Sequence, residues 1–152
     1  ESYVNAAMQH GTDTEPQARS AYAFMRDVDV VEVGLIRHPS IAGAHASPDG
    51  LVGEDGLLEI KCPNTATHIE TLLSGEVADR YIKQMQFQMA CTGRAWTDFV
   101  SYDPRLPGDL QVFIKRIPRD DALIAEIEDA VRFFVVETEA KLRRLAELRV
   151  AA

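Results

Sequence analysis

Two short stretches, Ser47-Pro48-Asp49-Gly50-Leu51 and Leu58-Glu59-Ile60-Lys61-Cys62-Pro63, bring two acids and an amine close together along the chain. On an extended strand, residues two apart share a face, so Glu59 and Lys61 point one way and Ile60 points into the core. The stretches are joined through Gly53-Glu54-Asp55-Gly56, whose glycines suit a tight connection. A hairpin turning on those four residues would set Asp49 nearly opposite Ile60, with its carboxylate beside Glu59. Such a set suits metal-assisted phosphodiester hydrolysis. Magnesium takes hard oxygen ligands, keeps several waters, and is held by one or two carboxylates plus substrate phosphate. Asp49 and Glu59 can supply those oxygens. The Lys61 ammonium can stabilise developing charge or orient the nucleophile. The same residues also describe a surface ion pair next to a turn aspartate, which so short a pattern often produces by chance.

The elements that must hold these residues are readable in outline. Thr12-Asp13-Thr14-Glu15-Pro16 offers cap-type residues, an acid and a proline, and Tyr22 and Met25 follow at helical spacing, which predicts a helix over 14–25. Residues 28–36 are rich in β-branched side chains, His38-Pro39-Ser40 breaks the run, and 41–46 resumes it, which predicts a hairpin. Residues 51–52 and 57–62 predict a second one. Helices follow over 67–73 and 78–92, each closed by a glycine, Gly75 and Gly93. Strands over 96–102 and 110–117 flank the loop 104–108.

Asp120 or Asp121 then caps a long helix with Leu123, Ile124, Ile127, Val131, Phe134, Val135, Leu142, Leu145 and Leu148 at helical period. It mixes acids and bases and reads as a packing element or subunit boundary, not as a reader of DNA grooves. The expected fold is one α/β domain over residues 1–152, a central mixed sheet flanked by helices.

Composition sets bounds on this reading. A chain of 152 residues with 46% hydrophobic and 26% charged residues suits a single domain with a real core. No apolar run approaches the roughly 20 residues needed to cross a bilayer, so no membrane partner is expected. Cys62 and Cys91 lack C-x-x-C spacing, and His10, His38, His45 and His68 lack H-x-x-x-H spacing, so zinc is not expected. Reduced thiols and a cytoplasmic location follow as defaults. The formal charge of −8 speaks against a broadly basic nucleic-acid binder, although carboxylates that hold cations count toward that sum. The chain starts at Glu1 without an initiator Met and is expected to be a fragment.

Taken jointly, the motifs resemble the PD-(D/E)xK nuclease superfamily, and within it the YqaJ-type branch that includes phage lambda exonuclease. Gly11-x-x-x-Glu15-x-x-Ala18-Arg19 resembles the branch's first helix. Ala46 to Leu51 and Glu59 to Pro63 resemble its central hairpin, Tyr81-x-x-Gln84-x-Gln86 its next helix, and Ser101-Tyr102-Asp103-Pro104-Arg105 the strand end beyond. The resemblance implies a PD-(D/E)xK core in which Asp49, Glu59 and the Ile60 backbone carbonyl bind Mg2+, with Mn2+ able to substitute. It further implies Lys61 as the catalytic lysine, Glu15 as a helical acid serving a second ion, and Gln84 as an active-site glutamine. The implied activity is 5′-to-3′ exonuclease action on double-stranded DNA ends in a bacterial host cell. The implied partners are a homotrimeric ring of copies and a phage single-strand annealing protein. The resemblance further implies a family segment carrying a tryptophan, an arginine and a serine for substrate engagement, which is expected to precede Glu1 and to lie outside these residues.

Other residues keep two readings. Tyr81 either stacks on a base or sugar or is a half-buried helix tyrosine. Arg19 either contacts DNA or forms a salt bridge beside the site. Gln88 shares a helix face with Gln84 and is read as solvated. Cys62 is read as packing, and His45 and His68 receive no role.

Overall fold

A computed structural model describes residues 6–150. The order is α1 (Ala6–Arg26), β1 (Val30–Val31), β2 (Ile36–Arg37), β3 (His45–Ala46), β4 (Gly50–Val52), β5 (Gly56–Lys61), α2 (Thr65–Ser74), α3 (Asp79–Thr92), β6 (Trp96–Tyr102), a 3-10 turn at Gly108–Leu110, β7 (Val112–Pro118) and α4 (Asp121–Val150). Five strands make the main sheet in the order β1-β4-β5-β6-β7, and β2 and β3 form a separate pair. All neighbours in the main sheet are antiparallel except β5 and β6, which run parallel with α2 and α3 crossing between them. The expected mixed sheet flanked by helices is present.

β5 is covered on both faces, and its first five residues are all buried. Leu58 and Ile60 pack with Ala18 and Tyr22 of α1 and with Val100 and Tyr102 of β6. Leu57 packs on the opposite face with Met85, Met89, Phe99, Ile117 and Ile124. Leu57 and Leu58 are both 0% exposed, and truncating either to alanine should cost about 2–5 kcal/mol. The strand bearing Glu59 and Lys61 is therefore held in the interior of the sheet, with packing on both faces.

Several boundaries differ from the sequence expectation. α1 begins well before residue 14 and carries Pro16 inside it, because Thr14, Ala18 and Tyr22 lie four apart and are buried together. Packing of that face outweighs the backbone bond that the proline removes. The predicted strand 28–36 is split: β1 joins the main sheet beside β4, while β2 pairs with β3 at Ile36↔Ala46 and Arg37↔His45. Alternation alone could not show that the two halves belong to different sheets. Leu110 ends a 3-10 turn instead of starting a strand. α4 is capped by Asp120, whose Oδ1 accepts from the Ala122 and Leu123 amides at 3.1 and 3.0 Å. Along α4 Ile124 is buried, but Phe134, Leu142, Leu145 and Leu148 are exposed.

The central hairpin also turns more tightly than expected. Val52 pairs with Gly56 and Gly50 with Leu58, so three residues, 53–55, form the loop. That register sets Asp49 across from Glu59, not Ile60. Gly53 has φ of +54°, a conformation costly for any other residue. Gly50 matters for space, because a Cβ there would collide with the Val30 side chain of the adjoining strand. Among the described residues, no helix is long and apolar enough to cross a membrane.

Candidate active site

Four elements contribute to one cluster at the C-terminal end of β5. Asp49 enters β4 with its amide bonded to the Leu58 carbonyl at 3.1 Å, and its Oδ2 accepts from the Ile60 amide at 2.6 Å. Glu59 is 1% exposed. Its Oε1 receives Lys61 Nζ at 2.5 Å and Gln84 Nε2 at 2.7 Å, and its Oε2 receives Gln88 Nε2 at 2.7 Å. From α1, Arg19 pairs with Glu15 at 2.5 Å, reaches Glu32 at 3.2 Å, and donates from Nε to the Asp49 carbonyl at 3.3 Å. Tyr81 packs its ring against Phe99 at 5.7 Å, and Lys61 Nζ lies 5.0 Å from the Tyr81 centroid.

The structure thus brings Asp49, Glu59, Lys61 and Gln84 together, with Tyr81 at the rim, while Glu15 is tied to Arg19 and reaches Asp49 only through its charge. Arg19 is engaged with Glu15 and Glu32.

The electrostatics of this cluster are under-compensated. Burial, together with the charge of Glu59 and further that of Glu15, pushes the Asp49 carboxyl up to about 7, against the opposing Ile60 amide and Lys61. Burial alone would lower the Lys61 ammonium, but Glu59 first and then Asp49 hold it above the usual lysine range. The Cys62 thiol is raised to about 11 by burial and by Glu15, Asp49 and Asp103, so it is an inert neighbour. Hard oxygens from two carboxylates facing one ammonium form a donor set that a small divalent cation would neutralise. Among the described residues, no three His, Cys, Asp or Glu side chains gather as a ready-made cage. Magnesium does not require one, since waters and phosphate complete its shell.

Gln88 departs from its reading as a solvated residue. It is 2% exposed and bonded to Glu59. The signal is present in the spacing: Tyr81, Met85, Gln88 and Met89 fall at i, i+4, i+7 and i+8, the face this helix turns toward the core. The Oε1 of Gln88 is buried without a protein partner, a situation that typically costs about 1–3 kcal/mol.

The Asp103 motif proves to be a brace. Asp103 is 0% exposed and accepts from Thr65 Oγ1 at 2.6 Å, from the Arg105 amide at 3.0 Å, and from Arg105 Nε and Nη2 at 2.7 and 3.0 Å. Arg105 also donates to the Pro63 carbonyl at 3.2 Å, tying the chain just beyond Lys61 to the end of β6. His68 is buried between Ser101 Oγ at 2.7 Å and the Leu110 carbonyl at 2.9 Å, to which Nε2 donates. His45 is exposed, and its ring Nδ1 lies 3.2 Å from the Gly43 carbonyl.

An acid and a lysine two apart on a central strand, an aspartate on the adjoining strand and an α/β frame around them define a nuclease core of the PD-(D/E)xK type. The phage-related exonuclease of Haemophilus somnus 129PT shares this fold at TM-score 0.70 and 17% identity, over 93% of this chain and 75% of that one. The chain belongs to the YqaJ-like viral recombinase family, whose domain profile matches residues 1–95. It is 62% identical to the alkaline exonuclease LHK-Exo of Laribacter hongkongensis, with a TM-score of 0.93 over 95% of this chain and 75% of that one. The structure of LHK-Exo in complex with dAMP matches at TM-score 0.94 and 61% identity, over 97% of this chain and 75% of that one. No curated protein sequence matches the chain. By family and by these relatives, it is an enzyme of the phage exonuclease type.

Proposed function

We propose that this protein is a magnesium-dependent exonuclease that degrades double-stranded DNA from 5′ ends toward 3′, leaving single strands for a phage annealing protein in the bacterial cytoplasm. The observation that supports it most is the convergence of Asp49 and Glu59, with Glu15 close enough to perturb Asp49, around one Lys61 ammonium. Asp49, Glu59 and the Ile60 carbonyl would hold Mg2+, and Mn2+ would substitute. Glu15 would serve a second ion. A bound cation supplies Lewis-acid activation of the scissile phosphate and of the attacking water.

The protein's own groups do the rest. Lys61 Nζ, held by Glu59 and lying near the Tyr81 ring, is placed to donate to a phosphate oxygen as negative charge accumulates there. Gln84, exposed and bonded to Glu59 Oε1, orients that carboxylate from the solvent side. Tyr81 and Arg19 border the path of the strand, the first as a stacking surface and the second as a holder of the Asp49 backbone. LHK-Exo has been crystallised with dAMP, and a mononucleotide of that kind is the product proposed here. The assembly proposed is a homotrimeric ring around duplex DNA.

Linear duplex labelled at either the 5′ or the 3′ end, incubated with Mg2+, tests the reading. The 5′ label should be released first, and Lys61→Ala and Asp49→Asn should slow its release on the order of 100-fold or more. Undiminished degradation by both variants removes the proposed site, and early loss of the 3′ label removes the proposed polarity.

A further inference from the structure

We propose that Gln88 is a positioning residue for Glu59: it ties Oε2 inside the fold, so that Oε1 is the oxygen left to meet a cation, in exchange for one of the donors, Lys61 or Gln84, that it now holds. The inference rests on the reading of Glu59 as a metal ligand. Three donors serve this carboxylate, and they are divided between its oxygens. Lys61 and Gln84, both reaching in from the solvent side, bond Oε1. Gln88, 2% exposed, is the donor to Oε2.

A carboxylate on two flexible bonds can turn to offer either oxygen or both. The amide of Gln88 removes that freedom from inside the core. One oxygen per carboxylate suits magnesium, which demands near-octahedral geometry, whereas two oxygens from one carboxylate suit the larger calcium ion. The groups that orient a metal ligand commonly set metal affinity by 10–100-fold.

A second observation separates positioning from packing. Gln88 lies in the apolar stripe with Met85 and Met89, each 0% exposed, and its Oε1 finds no partner within the protein. For packing alone, methionine would fill the same place without a buried, unpaired acceptor. What the glutamine adds is the single bond from Nε2 to Glu59.

The test measures Mn2+ affinity by electron paramagnetic resonance, and Mg2+ and Ca2+ affinity by competition, on the whole chain and on Gln88→Met and Glu59→Gln. The expected result for Gln88→Met is an unchanged or raised melting temperature, with Mn2+ and Mg2+ bound about tenfold more weakly. Ca2+ affinity should fall less, so that the Mg2+/Ca2+ preference shifts, which a packing defect would not produce. Wild-type Mn2+ affinity in Gln88→Met, alongside its loss in Glu59→Gln, overturns the role of Gln88 while leaving the metal site standing. Unchanged affinity in Glu59→Gln overturns the metal site and this inference with it. Should Gln88→Met not fold, Gln88→Asn withdraws the amide by one methylene, and wild-type Mn2+ affinity there overturns the proposal equally.

Discussion

Two buried acids sit on neighbouring strands of one sheet and are treated in opposite ways. Asp98 on β6 is 0% exposed and meets Arg116 through two bonds, at 2.8 and 2.9 Å, with the Tyr22 hydroxyl donating a third at 2.8 Å. Burial alone would raise its carboxyl, but Arg116 and Tyr22 hold it below the usual carboxylate range. The Arg116 guanidinium in turn lies 3.5 Å from the centroid of the Trp96 ring. That acid is fully neutralised and serves the fold. Glu59 on β5 faces the other side of the sheet, and it shares one ammonium with an Asp49 whose carboxyl is driven up to about 7. Both sites bury charge, but the second sets two carboxylates against one ammonium, an imbalance that the proposed cation would relieve. A buried acid is thus diagnostic of chemistry when its compensation is incomplete, and diagnostic of architecture when it is complete.

Matched substitutions break or sharpen this contrast. The largest effect is expected from Asp49→Asn, which should reduce DNA degradation on the order of 100- to 1000-fold while leaving the metal-free melting temperature unchanged or higher, as single-turnover assays and calorimetry would show. Asp98→Asn should do the reverse. It weakens the charge-assisted bonds from a half-exposed Arg116 and should cost about 1.5–3 kcal/mol in urea denaturation, with Mn2+ affinity unaltered. A loss of metal affinity there would mean that the two clusters are not independent. Tyr22→Phe removes one bond to the same carboxylate and should cost about 1.5 kcal/mol by the same measurement.

The smallest effect is a slope. Between about pH 4 and pH 7 the folded state keeps a proton on Asp49 that the unfolded chain has lost, so metal-free stability should fall as pH rises through that window. One such group contributes at most about 1.4 kcal/mol per pH unit. Asp98, whose folded value is depressed, contributes stability that is present above about pH 4 and lost as pH falls below it. Denaturation midpoints measured across pH should therefore show opposite trends at the two ends, and Asp49→Asn should flatten the upper one alone.

Legibility in the sequence followed the range of the interactions. Glu59 and Lys61 two apart, an aspartate before the preceding strand, and glycines between them are local statements, and the hairpin that carries them formed as expected. The strand 96–102 matched its predicted bounds. The register differs by one residue from the expected one because three loop residues close this turn, and nothing local distinguishes that from four. Gln88 is buried although its polarity suggests solvent, because it shares the stripe of Met85 and Met89 that faces inward.

What the order of residues settled alone was the chemistry on offer: which acids, which amine, and the alternation that puts Glu59 and Lys61 on one face. Those follow from bond geometry within a few residues. Which acid would be neutralised and which left wanting was decided by groups distant along the chain: Tyr22 and Arg116 reach Asp98 from positions 76 and 18 residues away, whereas Glu59 receives two amides and one ammonium. Electrostatic compensation depends on distance and burial in space, and only the folded sheet with helices on both faces sets those.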